Sequence, residues 1–180
     1  MTLSRRTLCL AALGSLTLSL SLSLAGCGFA LRRPAEMPFS KLAISGFKPN
    51  SPMAEALRQS LPRSVSVVAQ PKDAEVVLLA IEERFDRTVA ASTAAGQVRE
   101  FRLRVMLRFR LDRPDGTNQL PETQLELTRD MSYNETAALA KQTEEAGLVR
   151  EMRMDLAQQL LQMLSAAGRS VGQAATRPAG

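Results

Sequence analysis

The sequence contains no histidine, no tryptophan, one tyrosine and two cysteines among its 180 residues. Zinc sites and Ser-His or Cys-His nucleophilic centres need histidine or several cysteines, so this composition excludes them. Aromatic residues make up only 4% of the chain while hydrophobic residues make up 45%, so the core must be aliphatic. An active site built from carboxylates alone is compatible with the composition, but no motif points to one. We therefore predict a protein that is not an enzyme and that has no metal and no bound cofactor.

The amino-terminal stretch is typical of a secretory signal peptide. Arg5 and Arg6 provide a positive start, an apolar run covers residues 8–24, and small residues precede Cys27. The alternative is a retained membrane-spanning helix, but a run of about 17 residues diluted by serine is short for a span of about 20. The paired arginines fit an ordinary basic start better than a twin-arginine signal, and the export route stays open. We predict that residues 1–26 form a signal peptide.

Residues 24–27, Leu-Ala-Gly-Cys, resemble a bacterial lipobox. In lipoproteins with this motif the cysteine thiol receives a diacylglyceryl group, the leader is cut before the cysteine, and the new amino group is acylated. Three acyl chains, at about 0.8 kcal/mol per buried CH₂, would hold the protein on a membrane almost permanently. Gly28 follows Cys27 where many inner-membrane lipoproteins have aspartate. The resemblance therefore implies a lipid such as palmitate on Cys27 and a place on the periplasmic side of the outer membrane.

The stretch from Arg99 to Leu111 predicts a long β-strand with two unlike faces. Period-two alternation is typical of a strand that is buried on one face only. The predicted buried face consists of large apolar side chains: Phe101, Leu103, Val105, Leu107, Phe109 and Leu111. The opposite face consists of Met106 and four arginines: Arg102, Arg104, Arg108 and Arg110. Shifting the register by one residue would turn every arginine inward, so we expect the register to be strongly fixed.

Helices and further strands must cover the apolar face of this strand. Residues 41–47 read as a first strand, and Ser51 then caps a helix that Pro62 stops. The apolar run at 76–81 predicts a central strand, residues 65–69 are compatible with a short additional one, and residues 124–133 alternate as a final strand.

Asn134 can cap a last helix, whose apolar stripe runs from Leu139 to Met163 and which is predicted to end at Gly168. The element order is therefore β-α-β-β-β-α. We predict an α+β fold with two helices packed on one face of a mostly antiparallel four-stranded sheet. The predicted domain covers residues 27–164 and is followed by a disordered tail at 165–180.

The formal net charge of +5 is modest, and the clustering of arginines is more informative than the total. Guanidinium groups bind phosphate bidentately, so the arginine face suits phosphates or an acidic protein wall. The alternative is a solvated outer face whose arginines pair with carboxylates of neighbouring strands. Nucleic acid is the weaker candidate partner, because the face lacks stacking aromatics and the leader directs export, so we predict none.

Four segments of the sequence resemble the LptE family of lipopolysaccharide-assembly lipoproteins. They are the anchor start at 26–32, the Gly96-Gln97 step before the alternating strand, the segment 133–141 (Tyr-Asn-Glu-Thr-Ala-Ala-Leu-Ala-Lys), and the helical segment 149–160. Each motif is modest alone, and their order along the chain is the specific part. The alternative that this pattern leaves open is a lipid-anchored periplasmic scaffold or binding module of a different envelope complex.

The resemblance implies a non-enzymatic protein that plugs a large outer-membrane β-barrel of the LptD type, helps it assemble, and binds lipopolysaccharide during its insertion at the cell surface. It also implies that Lys141 contacts lipopolysaccharide, since the family has a basic residue there. A helix-surface lysine paired with Glu145 is the alternative. The family has a second basic residue just before Gly96-Gln97, where this chain has Ala94 and Ala95, and the arginines at 102, 104, 108 and 110 are candidates to replace it.

Overall fold

The computed structural model describes the backbone of residues 37–175 and the side chains of residues 37–168. The predicted signal peptide at 1–26, the lipidation site Cys27 and residues 176–180 lie outside the described residues, so these assignments stay predictions. In chain order the described elements are β1 (Lys41–Ser45), α1 (Pro52–Ser60), β2 (Ser66–Val68), β3 (Val76–Ser92), β4 (Val98–Asp112), β5 (Asn118–Ser132) and α2 (Ala138–Ala175). Two short 3-10 turns lie at Pro71–Asp73 and Glu135–Ala137.

The described strands form one mixed sheet with the order β2-β1-β3-β4-β5. β1 is parallel to both of its neighbours, and β3, β4 and β5 form an antiparallel meander. The α+β class with two helices is confirmed, but the predicted count of four strands is wrong. β2 is the strand that the count omits, because three residues at a sheet edge are too few to show a clear alternation. Its parallel pairing follows from the helix between β1 and β2, which carries the chain back to the same end of the sheet.

Helix α1 begins as the sequence predicts. Ser51 Oγ accepts a hydrogen bond of 3.0 Å from the backbone N–H of Ala54, and Pro52 occupies the first helical position, where no hydrogen-bond donor is needed. Met53 and Leu57 are fully buried on one side of the helix. The helix ends at Ser60, just before Leu61 and Pro62.

Helix α2 differs from the prediction at both ends. Asn134 caps the 3-10 turn that precedes the helix, and Leu139 at the start of the predicted stripe is 78% exposed. At the other end α2 passes through Gly168 to Ala175, so the predicted helix end is wrong and the first part of the predicted tail is helical. Gly168 is needed for close packing rather than for a cap, because a β-carbon there would collide with the ring of Pro38.

The core lies between the helices and one face of the sheet, where the apolar side chains of β4 are buried. Leu103, Leu107 and Phe109 are completely inaccessible, and they belong to one cluster with residues of both helices, such as Leu57 and Leu156. The predicted sidedness of β4 is therefore confirmed. It follows that the arginines of β4 are on the outer face of the sheet.

The strands β3 and β4 form one long hairpin that ends in a tight turn at residues 93–97. Thr93 donates a 2.8 Å backbone hydrogen bond to Gln97, and Gly96 donates one of 2.9 Å to Thr93. Gly96 has a φ of +80°, a conformation that glycine adopts without steric cost. Strand pairing thus continues to Ser92.

Gly46 marks the point at which β1 separates from β3. Its φ is +81°, and a β-carbon at this position would collide with the backbone carbonyl of Ala80. β1 is hydrogen-bonded to β3 only as far as the Ser45–Leu79 pair. Beyond Leu79, therefore, β3 is paired on the β4 side alone within the described residues.

Candidate functional site

The four candidate arginines on β4 lie in a row on the outer face of the sheet, as predicted. Their side chains are between 40% and 53% exposed. Alternate residues of a strand lie about 6.6 Å apart, so the row is regular and long. The structure thus brings these residues together on one surface, but it also places carboxylates of the neighbouring strands among them.

Arg102 makes the most complete of these contacts. The register places it opposite Asp130 of β5, and its guanidinium group donates two hydrogen bonds to that carboxylate, of 2.7 and 2.9 Å. This bidentate geometry is the strong form of an arginine-carboxylate pair. The hydrogen bonds from Arg102 hold the pKa of Asp130 below its ordinary value, and the same contact raises the pKa of Arg102.

The other candidate arginines also have carboxylate partners. Arg108 lies between Glu82 of β3, at 3.1 Å, and Glu122 of β5, at 3.2 Å. Arg104 is flanked in the same way by Asp86 and Glu126 at longer distances, and Arg110 pairs with Asp112 within its own strand at 2.8 Å. The reading in which the arginines pair with acids of neighbouring strands therefore describes the geometry of this face.

The outer face consequently has no cationic excess. With Arg84 of β3 it carries five arginines, and seven carboxylates lie on it: Glu82, Asp86, Glu100, Asp112, Glu122, Glu126 and Asp130. The same balance holds for the whole described part with side chains, since residues 37–168 contain seventeen basic and seventeen acidic residues. The formal charge of +5 thus arises from the segments at either end of the chain. A surface with alternating positive and negative charges can make many polar contacts, but it produces no strong net electrostatic potential at long range.

A shallow cleft of about 450 Å³ lies on this face between Arg102 and Arg104. Threonine and carboxylate side chains from both flanking strands complete its wall: Asp86, Thr88, Glu126, Thr128 and Asp130. Its lining therefore offers hydrogen-bond donors and acceptors in about equal number. Such a lining suits mixed polar groups better than a single phosphate, because every anion placed there also meets a carboxylate.

Lys141, the remaining contact candidate, lies apart from the arginine face at the start of α2. Its ammonium group donates a 3.1 Å hydrogen bond to Ser132 Oγ at the end of β5 and forms a 2.8 Å ion pair with Glu144. The predicted alternative partner, Glu145, instead pairs with Arg87 of β3 at 2.9 Å, so that pairing is wrong. The Lys141 side chain is only 18% exposed, so it is held in place more firmly than an ordinary surface lysine.

A cluster of one cationic and two aromatic side chains lies near this end of the sheet, and the sequence analysis does not predict it. The Arg87 guanidinium lies 4.7 Å from the centre of the Phe101 ring, and Tyr133 meets that ring edge-on at 5.0 Å. Both contacts are of attractive geometry. The signal was present in β3, because Arg87 falls at period-two spacing between Phe85 and Val89 and therefore on the face towards the helices.

Two further kinds of functional feature, a metal site and a membrane-spanning helix, are absent from the described residues. In residues 37–175 no three carboxylate, cysteine or histidine side chains are grouped closely enough to hold a metal ion. Neither of the two described helices is both long and apolar enough to cross a membrane.

Comparison with known proteins places the chain in a clear context. Residues 39–164 match the family model described as LptE: Lipopolysaccharide-assembly. The LPS-assembly lipoprotein LptE of Photorhabdus laumondii is 30% identical over 155 residues, which cover 83% of this chain and 84% of that protein. Among solved structures, the uncharacterized lipoprotein B from Nitrosomonas europaea has a TM-score of 0.67 at 25% identity, covering 85% of this chain and 99% of its own. The rare lipoprotein B from Shewanella oneidensis has a TM-score of 0.64 at 25% identity, covering 74% of this chain and 99% of its own.

Proposed function

Because this chain belongs to the LptE lipopolysaccharide-assembly family, we propose that it is a lipid-anchored outer-membrane protein that plugs an LptD-like β-barrel and contacts lipopolysaccharide there. The observation that carries the proposal is the family match at residues 39–164, which covers nearly all of the described domain. The proposed role is binding and assembly rather than catalysis. It explains why the conspicuous polar residues are organised as surfaces and not as a pocket with nucleophile, base and acid.

The proposed anchor is Cys27, at the end of the lipobox-like sequence. Replacing Cys27 with alanine removes the only thiol that the motif would modify, so we expect the chain to leave the outer-membrane fraction or to remain unprocessed. Cys9→Ala is the matched control, because Cys9 lies inside the apolar run of the leader. The measurement is membrane fractionation together with mass spectrometry of the amino terminus. Outer-membrane fractionation of the Cys27→Ala protein in processed form would contradict the anchor.

The outer sheet face is the surface that we propose for contact with the barrel. The interior of an outer-membrane barrel is polar, and a face of alternating sign can form many hydrogen bonds with such a wall. Its arginines are already oriented by carboxylates, so little side-chain entropy is lost when they dock. The proposed contact residues on this face are Arg102, Arg104, Arg108 and Arg110.

The end of the sheet near Lys141 is the surface that we propose for lipopolysaccharide. The ammonium group of Lys141 has three N–H donors and uses two of them, on Ser132 and Glu144, which leaves one for a lipid phosphate. Its fixed position lowers the entropy lost on binding. The exposed Arg99 lies at the same end of the sheet and adds positive charge there, whereas the charge of Arg87 is offset by its ion pair with Glu145.

Two assays test these two surfaces separately. For the barrel contact, affinity-tagged protein is recovered from a detergent extract of the envelope, and the stoichiometry of any co-purifying barrel is measured. We expect a one-to-one complex, which is weakened when the four β4 arginines become glutamine and retained when they become lysine. Recovery of a different envelope protein without a barrel would contradict the proposal and favour the alternative scaffold role.

For the lipid contact, the full chain in detergent is titrated with purified lipopolysaccharide. We expect Lys141→Gln to weaken binding several-fold, because one charge-assisted hydrogen bond is lost. Lys72→Gln is the matched control, since Lys72 is an exposed lysine in the 3-10 turn at Pro71–Asp73. Equal loss of affinity in both variants would show a non-specific charge effect and would contradict the role of Lys141.

A further inference from the structure

Arg153 of α2 is a half-buried arginine whose charged group has no counter-charge in contact. Its Nε is shielded from solvent and has no hydrogen-bond partner, and among residues 37–168 no carboxylate is close enough to form an ion pair with it. Two other arginines on the helix-facing side of the sheet, Arg87 and Arg129, both reach carboxylates of α2. Buried polar groups are normally satisfied in folded proteins, so the exception at Arg153 needs an explanation.

The surroundings of Arg153 are unfavourable to a positive charge. Burial lowers the pKa of Arg153, because removal from water disfavours the charged form, and Glu83 of β3 opposes this effect only in part. The carboxylate of Glu83 is engaged elsewhere, since it accepts a hydrogen bond of 2.5 Å from Ser51 Oγ at the start of α1. A guanidinium group keeps its proton in a protein, so Arg153 stays charged although it is partly desolvated.

A groove of about 310 Å³ between β3 and α2 gives access to Arg153. Its lining includes the apolar side chains of Phe85, Ala146 and Val149, and the ring centre of Phe85 lies 6.0 Å from the guanidinium carbon of Arg153. Within the described residues no strand pairs with β3 on this side beyond Leu79, so the groove is not covered by the sheet. A side chain from outside the molecule can therefore reach the guanidinium group.

The charge of the groove lining fits one carboxylate. Arg87 and Glu145 also line the groove, and they pair with each other at 2.9 Å, so that Arg153 is the unbalanced charge in the lining. A carboxylate carries a single negative charge and accepts two parallel hydrogen bonds from a guanidinium group. A phosphate group carries a charge of about −1.5 to −2 and would be repelled more strongly by Glu145, so it fits this groove less well.

We propose that the groove between β3 and α2 is a docking site for an acidic side chain of the barrel partner, whose carboxylate pairs with Arg153. This inference rests on the proposed function, and it adds a contact on the helix side of the sheet to the contact proposed for the outer face. The pair would satisfy the buried Nε, and the partner residue would cover the half-exposed Phe85 ring. Because Arg153 is already desolvated and held beside that ring, little further ordering of this side chain is needed when the partner binds.

Zero-length cross-linking tests the chemical identity of the partner group. In Arg153→Lys an amine replaces the guanidinium group, and a carbodiimide takes up the water that is lost when this amine forms an amide with a carboxylate in contact. In a detergent extract of the envelope we expect a covalent adduct of the full chain with the barrel, and mass spectrometry should locate the amide at position 153 and at an aspartate or glutamate of the barrel. Arg150→Lys is the matched control, because Arg150 is exposed on the same helix and does not line the groove. It should give no adduct with the same barrel residue.

Arg153→Met separates a binding role from a structural one, because it removes the charge and keeps most of the side-chain length. We expect it to weaken barrel binding by about tenfold or more, the effect of losing a charge-assisted hydrogen-bonded pair. The urea unfolding midpoint of the chain without its partner, measured with Cys27→Ala so that no lipid is attached, should stay the same or rise, since an uncompensated charge is replaced by an apolar group. Arg150→Met is the control for both measurements and should change neither.

The possible failures of the inference and of the proposed function give different results. Full barrel recovery by Arg153→Met, together with no adduct from Arg153→Lys, would overturn the inference and leave the proposed function intact. A lowered urea midpoint of Arg153→Met would overturn it too, because Arg153 would then support the fold. Weakened lipopolysaccharide binding by Arg153→Met with full barrel recovery would place a lipid phosphate in the groove instead. If the parent chain recovers no barrel at all, the proposed function is refuted and this inference fails with it.

Discussion

Gly46 is the position at which we expect one added methyl group to be most damaging. A non-glycine residue at the φ of +81° found there costs about 1–2 kcal/mol. The β-carbon of Gly46→Ala would in addition overlap the carbonyl oxygen of Ala80, a backbone atom that has little freedom to move because Ala80 is paired with the buried Phe109. Overpacking of this kind costs typically about 1–3 kcal/mol. The two contributions together predict a loss of about 2–5 kcal/mol in the free energy of unfolding.

Gly116→Ala provides the matched control for this substitution. Gly116 has a φ of +85°, close to that of Gly46, but nothing lies within 4 Å of the position of its missing β-carbon. We expect it to lose only the conformational part, about 1–2 kcal/mol. The assay is urea unfolding of the two variants and of the parent chain, all carrying Cys27→Ala so that no lipid is attached. With a slope of about 2 kcal/mol per molar urea, Gly46→Ala should lower the midpoint by about 1–2.5 M and Gly116→Ala by less than about 1 M. Equal midpoints for the two variants would refute the argument from the Ala80 contact.

Further predictions concern ion pairing, packing and capping. Asp130→Asn should lower the unfolding midpoint at pH 7, because hydrogen bonds from Arg102 lower the pKa of Asp130 in the folded state. The stability that this shift contributes is fully present above the ordinary carboxyl pKa of about 3.9 and is lost as the pH falls through the folded-state pKa, so the difference from the parent chain should shrink steadily below about pH 4; a difference that does not change with pH would contradict this. Leu156→Ala should cost about 2–5 kcal/mol and Leu139→Ala less than about 0.5 kcal/mol, as measured by urea unfolding, since the first is fully buried and the second is 78% exposed. Ser51→Ala should cost about 0.5–2 kcal/mol through loss of the α1 cap, with Ser64→Ala as a control outside any helix.

The parts of the fold that the sequence predicts are those fixed by local chemistry. The alternation in β4 follows from the pleat of a strand, and the start of α1 follows from a serine cap and a proline at the first helical position. Both are readable from a few consecutive residues. The predicted four-stranded sheet lacks the three-residue β2, because this strand depends on its neighbour β1 for pairing and has almost no pattern of its own.

The parts that could not be predicted depend on how strands are aligned. The carboxylate partners of the β4 arginines come from β3 and β5, and irregularities between Ala80 and Glu82 and between Phe109 and Leu111 shift the pairing on each side. A sequence without a known register cannot state which acid meets which arginine. The sequence of β4 alone therefore predicts a cationic outer face. The positive and negative charges of that face balance once the carboxylates of β3 and β5 are included.

Gly168 illustrates a different limit of prediction from local sequence patterns. Glycine near the end of an apolar helical stripe normally predicts a helix end. Here the residue is inside α2, since the missing side chain makes space for Pro38, which lies far away in the sequence. The reason for this glycine is a long-range contact, which no local pattern can reveal.

The mixture of pairing types in the sheet has a consequence for the order of folding. The meander from β3 to β5 is built from neighbouring segments joined by short turns, so its contacts close small loops at low entropic cost. The contact of Leu42 with Val76 must instead bridge a helix and another strand before it can form. We expect the meander to assemble early and the β1-α1-β2 unit to add last. The region next to the proposed lipid anchor would then be the final part of the folded domain to become ordered.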